Sequence, residues 1–125
     1  MNPARTIVIF STKGGVGKTL LATNLAVSLC KESNKKVLLV DFDLQVIGDM
    51  ARILDISAHK SIVELAPLLE KSPAEEIKIN SFVSHHPSNI DFLPAVLRAG
   101  QSSQVKPEVI KKALKVNNPD SKDPI

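Results

Sequence analysis

A glycine-rich stretch at residues 13–19 constrains this chain more than any other part of its sequence. It reads Lys-Gly-Gly-Val-Gly-Lys-Thr and lies between an apolar run and an amphipathic run. Closely spaced glycines let the backbone turn tightly and bring its N–H groups near an anion, an approach that a Cβ would obstruct. Lys18 adds a positive charge and Thr19 a hydroxyl, where such a loop places a phosphate-binding lysine and a magnesium ligand. The stretch therefore predicts a phosphate-binding loop.

The runs on either side of this loop predict a βαβ unit. Thr6–Phe10 is a β-branched and aromatic run that predicts a first strand buried on both faces. Apolar residues at three- and four-residue spacing predict a helix from about Lys18 to about Lys31, and Lys36–Asp41 predicts a second buried strand. A right-handed crossover makes the two strands parallel, so their ends and the loop meet at one edge, where open α/β sheets bind ligands. The helix N-terminus at that edge favours an anion.

The remaining sequence predicts smaller elements around the same sheet. Asp49 is placed to cap a short helix through Ile53, and capping-box spacings at Ser61 and Ser72 predict two further short helices. Ile90–Pro94 predicts a third parallel strand. Residues 77–83 suit either an edge strand or an irregular segment, residues 84–89 a turn, residues 98–106 an exposed loop, and residues 107–116 a last helix.

Composition limits the class of protein. The 125 residues predict one domain over residues 1–116 and a polar, disordered tail over residues 117–125. The longest apolar run, 20–29, is interrupted by polar residues, and nothing at the N-terminus resembles a secretion signal, so we expect a cytoplasmic protein without a membrane span. Cys30 is the single cysteine, which excludes an internal disulfide or a cysteine-bound metal cluster and predicts a buried apolar role.

A Rossmann dinucleotide site is the nearest alternative to a P-loop. Gly15 and Gly17 precede a helix, and Asp41 lies about twenty residues further on, where a ribose-binding carboxylate is expected. That site requires a third small residue where Leu20 stands. It also leaves the lysine and the threonine of the loop without a role, so the P-loop interpretation is favoured.

The loop resembles a known motif. Lys13, directly before the glycine pair, together with Lys18 and Thr19, resembles the deviant Walker A motif of the ParA/MinD group of P-loop ATPases. Thr12 stands where the strict P-loop pattern has glycine, a departure that is ordinary in this group. The resemblance implies an α/β fold with a parallel sheet, the P-loop NTPase fold of the SIMIBI type.

A second motif supports the resemblance. Asp41 and Asp43 at the end of the second strand match the next motif of the group, and Leu44-Gln45 with Gly48-Asp49 is most similar to its CpaE/TadZ pilus-assembly branch. The resemblance is close over residues 5–55 and loose beyond them. This group places a further strand ending in aspartate, the Walker B strand, after the helix that ends here near Val116. We therefore expect only the N-terminal part of an ATPase domain.

The resemblance implies ATP and Mg²⁺ as cofactors and a role for each residue of the loop. Backbone N–H groups of Gly15–Thr19 hold the α- and β-phosphates, Lys18 reaches the β- and γ-phosphates, and the Thr19 hydroxyl coordinates Mg²⁺. Lys13 reaches the phosphates of a facing subunit in a nucleotide-sandwich homodimer. The nucleotide-binding set is Lys13, Gly14, Gly15, Val16, Gly17, Lys18, Thr19 and Leu20.

The two carboxylates complete the implied site. Asp43 positions the attacking water, and Asp41 supports the magnesium shell through water, so that Lys13, Lys18 and Asp43 form the catalytic set and Thr19, Asp41 and Asp43 the metal set. The implied function is an ATP-dependent dimerising switch that positions a pilus, secretion or partition machine. A non-catalytic nucleotide-binding or interaction module is the alternative, since the expected further strand is missing.

Two further features remain open. His85 and His86 are adjacent and would suit a metal ion, but no third ligand accompanies them. Lys111, Lys112 and Lys115 lie on one face of the last helix, which suits DNA phosphates as well as a solvated surface. Without Trp or Tyr, a stacking platform for single-stranded nucleic acid is not expected.

Overall fold

The computed structural model describes residues 5–10, 17–44, 46–72 and 77–117, with side chains as far as Leu114. Within this part of the chain a three-stranded sheet forms in the order β1-β3-β2. Its strands are β1 (Val37–Asp41), β2 (Ser84–His86) and β3 (Ile90–Pro94). The α-helices are α1 (Lys18–Ser33), α2 (Asp49–Ile53), α3 (Ile62–Lys71) and α4 (Pro107–Asn117), and short 3₁₀ helices cover Ile79–Ser81 and Ala99–Gln104.

β1 and β3 are parallel, as predicted, and they end together. Val37 lies opposite Ile90, and Asp41 lies opposite Pro94. The ladder continues past the strands, because the Ala95 N–H donates to the Asp41 carbonyl at 2.8 Å. We call the side of the sheet where β1 and β3 end the carboxyl edge.

The sheet lies between two layers of helices because its side chains alternate between its faces. On one face the sheet residues Val37, Leu39, Ile90 and Phe92 pack with Ala26 and Cys30 of α1 and with Met50 and Leu54 of the α2 region. On the other face Leu38, Val40 and Leu93 pack with Ile62, Leu65 and Leu69 of α3 and with Val109 and Ala113 of α4. Cys30 is buried, as the sequence predicted.

The predicted first strand is wrong. Residues 5–10 belong to no strand, and Ile7, Val8 and Phe10 are 61%, 70% and 78% exposed. β-Branched residues favour a strand only where a neighbouring strand offers hydrogen bonds and packing. Residues 5–10 pair neither with β3, which lies between β1 and β2, nor with the outer side of β1.

Three predictions between residues 77 and 106 are corrected or resolved. The expected turn contains a short strand, because Ser84–His86 pairs antiparallel with β3, and only Pro87 to Asn89 make the turn. Asn89 takes the left-handed backbone at φ 70°, which asparagine tolerates better than most residues. The segment 77–83, left open, contains a 3₁₀ turn at Ile79–Ser81. The expected loop contains another at Ala99–Gln104.

The helix ends test the capping predictions. Ser61 forms the predicted capping box: its hydroxyl accepts from the Val63 N–H at 3.2 Å, and Glu64 accepts from the Ser61 N–H at 2.6 Å. The prediction for Asp49 is wrong, because Gly48 occupies the cap position with φ 90° and Asp49 is the first helical residue. The backbone of Gly48 has a geometry that residues with a Cβ rarely adopt, so a substitution there would be strained.

Other predictions differ from the structure only in the length of an element, or concern residues that the structure does not describe. α1 continues to Ser33, slightly beyond the predicted end. In α4, Val109 and Ala113 are buried while Lys111 and Lys112 are exposed, so the predicted amphipathic face is confirmed; the side chain of Lys115 lies outside the described residues. Residues 73–76, the first turn of the helix predicted to start at Ser72, also lie outside them. Of the predicted tail 117–125, Asn117 instead ends α4, and the other residues lie outside the described part. No described helix is long and apolar enough to span a bilayer.

Candidate functional site

α1 starts at the carboxyl edge. Gly17 precedes it with φ 81°, a left-handed conformation that glycine adopts without strain, and the Leu21 N–H donates to the Gly17 carbonyl at 2.9 Å. Lys18 opens the helix, and its ammonium lies 3.9 Å from Oδ2 of Asp43, just beyond the end of β1. The structure thus brings the predicted phosphate lysine and the predicted water-positioning carboxylate together.

Asp41 ends β1 and is 9% exposed. Its Oδ1 accepts a hydrogen bond from the backbone N–H of Asp43 at 3.0 Å. Burial raises the pKa of Asp41 above the usual aspartate value; the carboxylates of Asp43 and Asp49 add to this rise, while the Asp43 N–H and Lys18 oppose it. Asp41 is therefore buried at the carboxyl edge, next to the backbone of the loop that follows β1.

Asp43 lies in the loop after β1 and is more exposed than Asp41. Its Oδ1 accepts from the Val46 N–H at 3.1 Å, and its Oδ2 faces the Lys18 ammonium. The backbone N–H of Asp43 donates a hydrogen bond to Oδ1 of Asp41. The carboxylate is thereby fixed in orientation and still partly open to solvent, with a side chain 22% exposed.

Of the other predicted loop residues, only Gly17, Thr19 and Leu20 lie in the part of the chain that the structure describes. Thr19 follows Lys18 in the first turn of α1 and is half-buried, and its carbonyl accepts from the Thr23 hydroxyl at 3.0 Å. Leu20 is 56% exposed. The predicted phosphate-loop residues Lys13, Gly14, Gly15 and Val16 lie outside the described residues.

The donors at this edge suit Mg²⁺. Mg²⁺ prefers oxygen ligands, retains several waters and is commonly held by one or two carboxylates together with substrate phosphates. Thr19 and Asp43 supply a hydroxyl and a carboxylate beside the positive charge of Lys18. No group of three or more His, Cys, Asp or Glu suited to a metal ion occurs in the described part of the chain.

A small cavity lies against the same edge, with a volume of about 160 Å³. Asp41 contributes a carboxylate to the lining of this cavity. The small side chains of Ala51 and Ala58 and the absence of one at Gly48 leave the space open. Phe92 and Leu97 contribute apolar surface. A cavity of this size is large enough to admit water to the inner side of Asp41.

A second charged cluster, which the sequence analysis did not single out, lies at the opposite end of the sheet. Asp91 of β3 is 8% exposed; His85 Nδ1 lies 2.5 Å from its Oδ1, and Lys36 Nζ lies 3.0 Å from its Oδ2. His85 is directly opposite Asp91 in the ladder. His86 instead accepts from the Ser88 N–H at 3.0 Å. The two histidines therefore do not converge on a common metal position. An aspartate flanked by apolar residues in a strand is the sequence signal for this cluster.

The fold is of the P-loop type. The crystal structure of a ParA family ATPase from Chlorobium tepidum TLS superimposes with a TM-score of 0.68 over 83% of this chain and 42% of that one, at 21% sequence identity. Identity at this level shows the fold alone. The α/β prediction with a parallel pair of strands is confirmed.

The family follows from sequence comparison. Residues 4–116 match the family model described as an AAA domain (AAA_31), and the chain belongs to that family. The virulence plasmid ParA family protein pGP5-D of Chlamydia psittaci is 51% identical over 84 residues, which are 60% of this chain and 32% of that protein. The chromosome-partitioning ATPase Soj of Treponema pallidum is 37% identical over 92 residues, 73% of this chain and 32% of that protein.

These relatives identify the ParA/MinD group within the family. The chain spans about a third of the length of the curated relatives that it matches, 32% in both cases above. The sequence resemblance to ParA/MinD ATPases is thus confirmed at the level of the group.

Proposed function

We propose that this chain binds Mg²⁺-ATP at the carboxyl edge and serves as the nucleotide-binding part of a ParA/MinD-like ATPase. The observation that carries the proposal is the contact of Lys18 with Asp43 at 3.9 Å. A lysine at a helix N-terminus attracts phosphate, and a neighbouring carboxylate orients the metal or the attacking water. Phosphoryl transfer depends mainly on such positioning and charge neutralisation.

Each residue has a place in this proposal. Lys18 neutralises the β- and γ-phosphates, the Thr19 hydroxyl binds Mg²⁺, and Asp43 orients water for attack. The resemblance gives Asp41, at the end of β1, a place in the magnesium shell through water. Lys13 contributes to the phosphates of a second subunit. Mg²⁺, when bound, would neutralise the charge that develops on the phosphates.

The proposal extends to a switch. ATP-driven dimerisation brings two such sites face to face, and hydrolysis reverses the assembly. The printed names of relatives refer to chromosome partitioning, septum site determination and a virulence plasmid. These names and the Leu44-Gln45 and Gly48-Asp49 motif support a role in spatial positioning, either in partitioning or in pilus or secretion assembly of the CpaE/TadZ kind. We place this work in the cytoplasm.

The test is direct. Isothermal titration calorimetry of the 125-residue chain with ATP and Mg²⁺ is expected to give saturable binding, and size-exclusion chromatography with light scattering is expected to give a larger mass with Mg²⁺-ATP than with Mg²⁺-ADP. Absence of ATP binding by the wild-type chain contradicts the proposal. ATP binding without a change in mass would contradict only the proposed dimerising switch and would leave the nucleotide-binding role in place.

A non-catalytic nucleotide-binding module is the second candidate. Such a module binds ATP at the same edge but releases no phosphate. A steady-state phosphate-release assay separates the two candidates, because turnover by the 125-residue chain excludes the module.

A further inference from the structure

Two carboxylates are buried in the described part of the chain, Asp41 and Asp91. Asp91 has two cationic or hydrogen-bonding partners, Lys36 and His85, which account for its burial. Asp41 has a different environment, because its hydrogen bond comes from the backbone of Asp43. A buried carboxylate that engages the backbone of a functional loop calls for an explanation beyond charge pairing.

The loop after β1 is built from two consecutive side-chain-to-backbone hydrogen bonds. Asp41 Oδ1 accepts from the Asp43 N–H at 3.0 Å, and Asp43 Oδ1 accepts from the Val46 N–H at 3.1 Å. Short hydrogen bonds of this kind fix a turn without help from a helix or a strand. The second oxygen of Asp43 is thereby left pointing toward Lys18, 3.9 Å away.

The backbone of Asp41 is anchored to the neighbouring strand β3. Its carbonyl accepts from the Ala95 N–H at 2.8 Å, which ties it to the chain just beyond β3, and its residue lies in the β1 ladder opposite Pro94. It is thus anchored to the rigid sheet, while Asp43 belongs to the loop. A side chain fixed by the sheet is well placed to orient a functional group on the loop.

We propose that Asp41 is a positioning residue that aims the Asp43 carboxylate at Lys18 and the bound nucleotide by accepting the Asp43 N–H hydrogen bond. This inference rests on the proposed function and deepens it. What Asp41 contributes is an oxygen acceptor at the correct place, and its negative charge is dispensable.

The acceptor role and a role in the magnesium shell predict opposite results for one substitution. Asp41→Asn keeps an oxygen at Oδ1 and removes the charge, whereas Asp41→Ala removes both. If Asp41 acts through its acceptor, asparagine rescues the site. If it acts through its charge on the outer magnesium shell, asparagine fails as alanine does.

Two measurements test the proposal on the 125-residue chain. The first is the ¹H–¹⁵N correlation spectrum without nucleotide, in which the Asp43 amide is expected downfield in the wild type and in Asp41→Asn, and upfield in Asp41→Ala. The second is the gain in ATP affinity on adding Mg²⁺ over EDTA. Asp41→Ala is expected to reduce this gain about tenfold, the scale of a lost hydrogen bond to a charged group, and Asp41→Asn to retain it.

Asp49→Asn is the matched control. Asp49 is a neighbouring carboxylate that pairs with Arg52 at 3.3 Å, so its neutralisation lowers the negative charge near Asp41. It is expected to leave the Asp43 amide and the Mg²⁺-dependent gain at their wild-type values. An Asp43→Ala variant provides the reference for complete loss of the oriented carboxylate.

The outcomes are distinct. Loss of the Mg²⁺-dependent gain in Asp41→Asn, or an unmoved Asp43 amide in Asp41→Ala, overturns the inference while ATP binding by the wild type still supports the proposed function. Absence of ATP binding by the wild type overturns the proposed function and with it the positioning role. The asparagine result decides between acceptor and charge even where the alanine variant fails to fold.

Discussion

The ammonium of Lys18 lies 3.9 Å from the Asp43 carboxylate, although one residue opens α1 and the other follows β1. Their side chains are 34% and 22% exposed. A partly exposed ion pair of this kind contributes little to stability because water and salt screen it. In the proposed function, its importance is that it brings the cation assigned to phosphate and the anion assigned to metal or water to one place at the carboxyl edge.

Replacement of Lys18 is expected to abolish ATP binding. Lys18→Ala removes the positive charge that faces the phosphates, and phosphate contacts carry most of the affinity at a helix N-terminus. Titration with a fluorescent ATP analogue measures the loss. Lys31→Ala, an exposed lysine in the last turn of the same helix, is the control and is expected to bind as the wild type does. Unchanged affinity in Lys18→Ala would contradict the assignment of the site.

Replacement of Asp43 is expected to separate binding from turnover. Asp43→Ala leaves Lys18 free to meet the phosphates, so ATP still binds, but the carboxylate that orients water is gone. A phosphate-release assay alongside the ATP titration measures the two effects. Asp55→Asn serves as the control, because Asp55 is exposed and asparagine tolerates its left-handed backbone. Turnover at the wild-type rate in Asp43→Ala would exclude the proposed role.

The core beneath α3 is expected to be sensitive to truncation. Leu65 is 0% exposed, and Leu65→Ala is expected to lower the free energy of unfolding by roughly 2–5 kcal/mol because it removes buried surface and leaves a cavity. Leu68→Ala on the same helix is the matched control, since Leu68 is 42% exposed. Urea denaturation measures both. Equal losses in the two variants would mean that α3 does not pack through Leu65.

The N-terminal cap of α3 is expected to contribute about 1 kcal/mol to stability. Ser61→Ala removes the hydroxyl that accepts from the Val63 N–H, in a residue that is 0% exposed. Thermal unfolding followed by circular dichroism measures the loss. Ser33→Ala, at an exposed hydroxyl near the end of α1, is the control and is expected to change the melting temperature much less. A larger loss from Ser33→Ala would contradict the capping role.

The same cap predicts a dependence on pH. Burial alone would raise the pKa of Glu64, but hydrogen bonds from the Ser61 hydroxyl and backbone N–H outweigh it and lower that pKa. A lowered pKa in the folded state adds stability above the ordinary glutamate pKa, and this stability is lost as the pH falls through the folded value. A melting-temperature difference between wild type and Glu64→Gln is expected at neutral pH, and it is expected to shrink as the pH falls below the ordinary glutamate pKa. A melting-temperature difference that grows as the pH falls would contradict the lowered pKa of Glu64 in the folded state.

The local signals in the sequence predicted the elements that carry the site. The run at Lys36–Asp41 became β1, the spacing after Lys18 became α1, and the capping box at Ser61 formed as expected. These elements depend on periodicity and on short-range hydrogen bonds, which a single sequence contains. The proximity of Lys18 and Asp43 also followed, because a helix that packs on the strand after it, with the opposite chain direction, starts at the edge where that strand ends.

The errors concern contacts between distant parts of the chain. Nothing in the run Thr6–Phe10 indicates whether a strand is available to pair with it, and nothing at Ser84 indicates that it lies beside Phe92. Asp91 was overlooked for the same reason, since its partners Lys36 and His85 come from other segments. The Asp41 hydrogen bond to the Asp43 N–H depends on loop conformation, which residue type alone does not determine.

The exposed run Thr6–Phe10 has a consequence for how this chain behaves in solution. Its amides lie outside every helix and strand of the described residues, whereas those of β3 are paired on both sides from Ile90 to Phe92. Hydrogen exchange should therefore be fast at Ile7 and Val8 and slow at Phe92, although all three side chains are strongly apolar. An exposed apolar segment whose amides exchange rapidly is the part of the described chain most prone to associate with other copies at high concentration. Polar substitutions in this segment should therefore improve colloidal stability more than substitutions in the core.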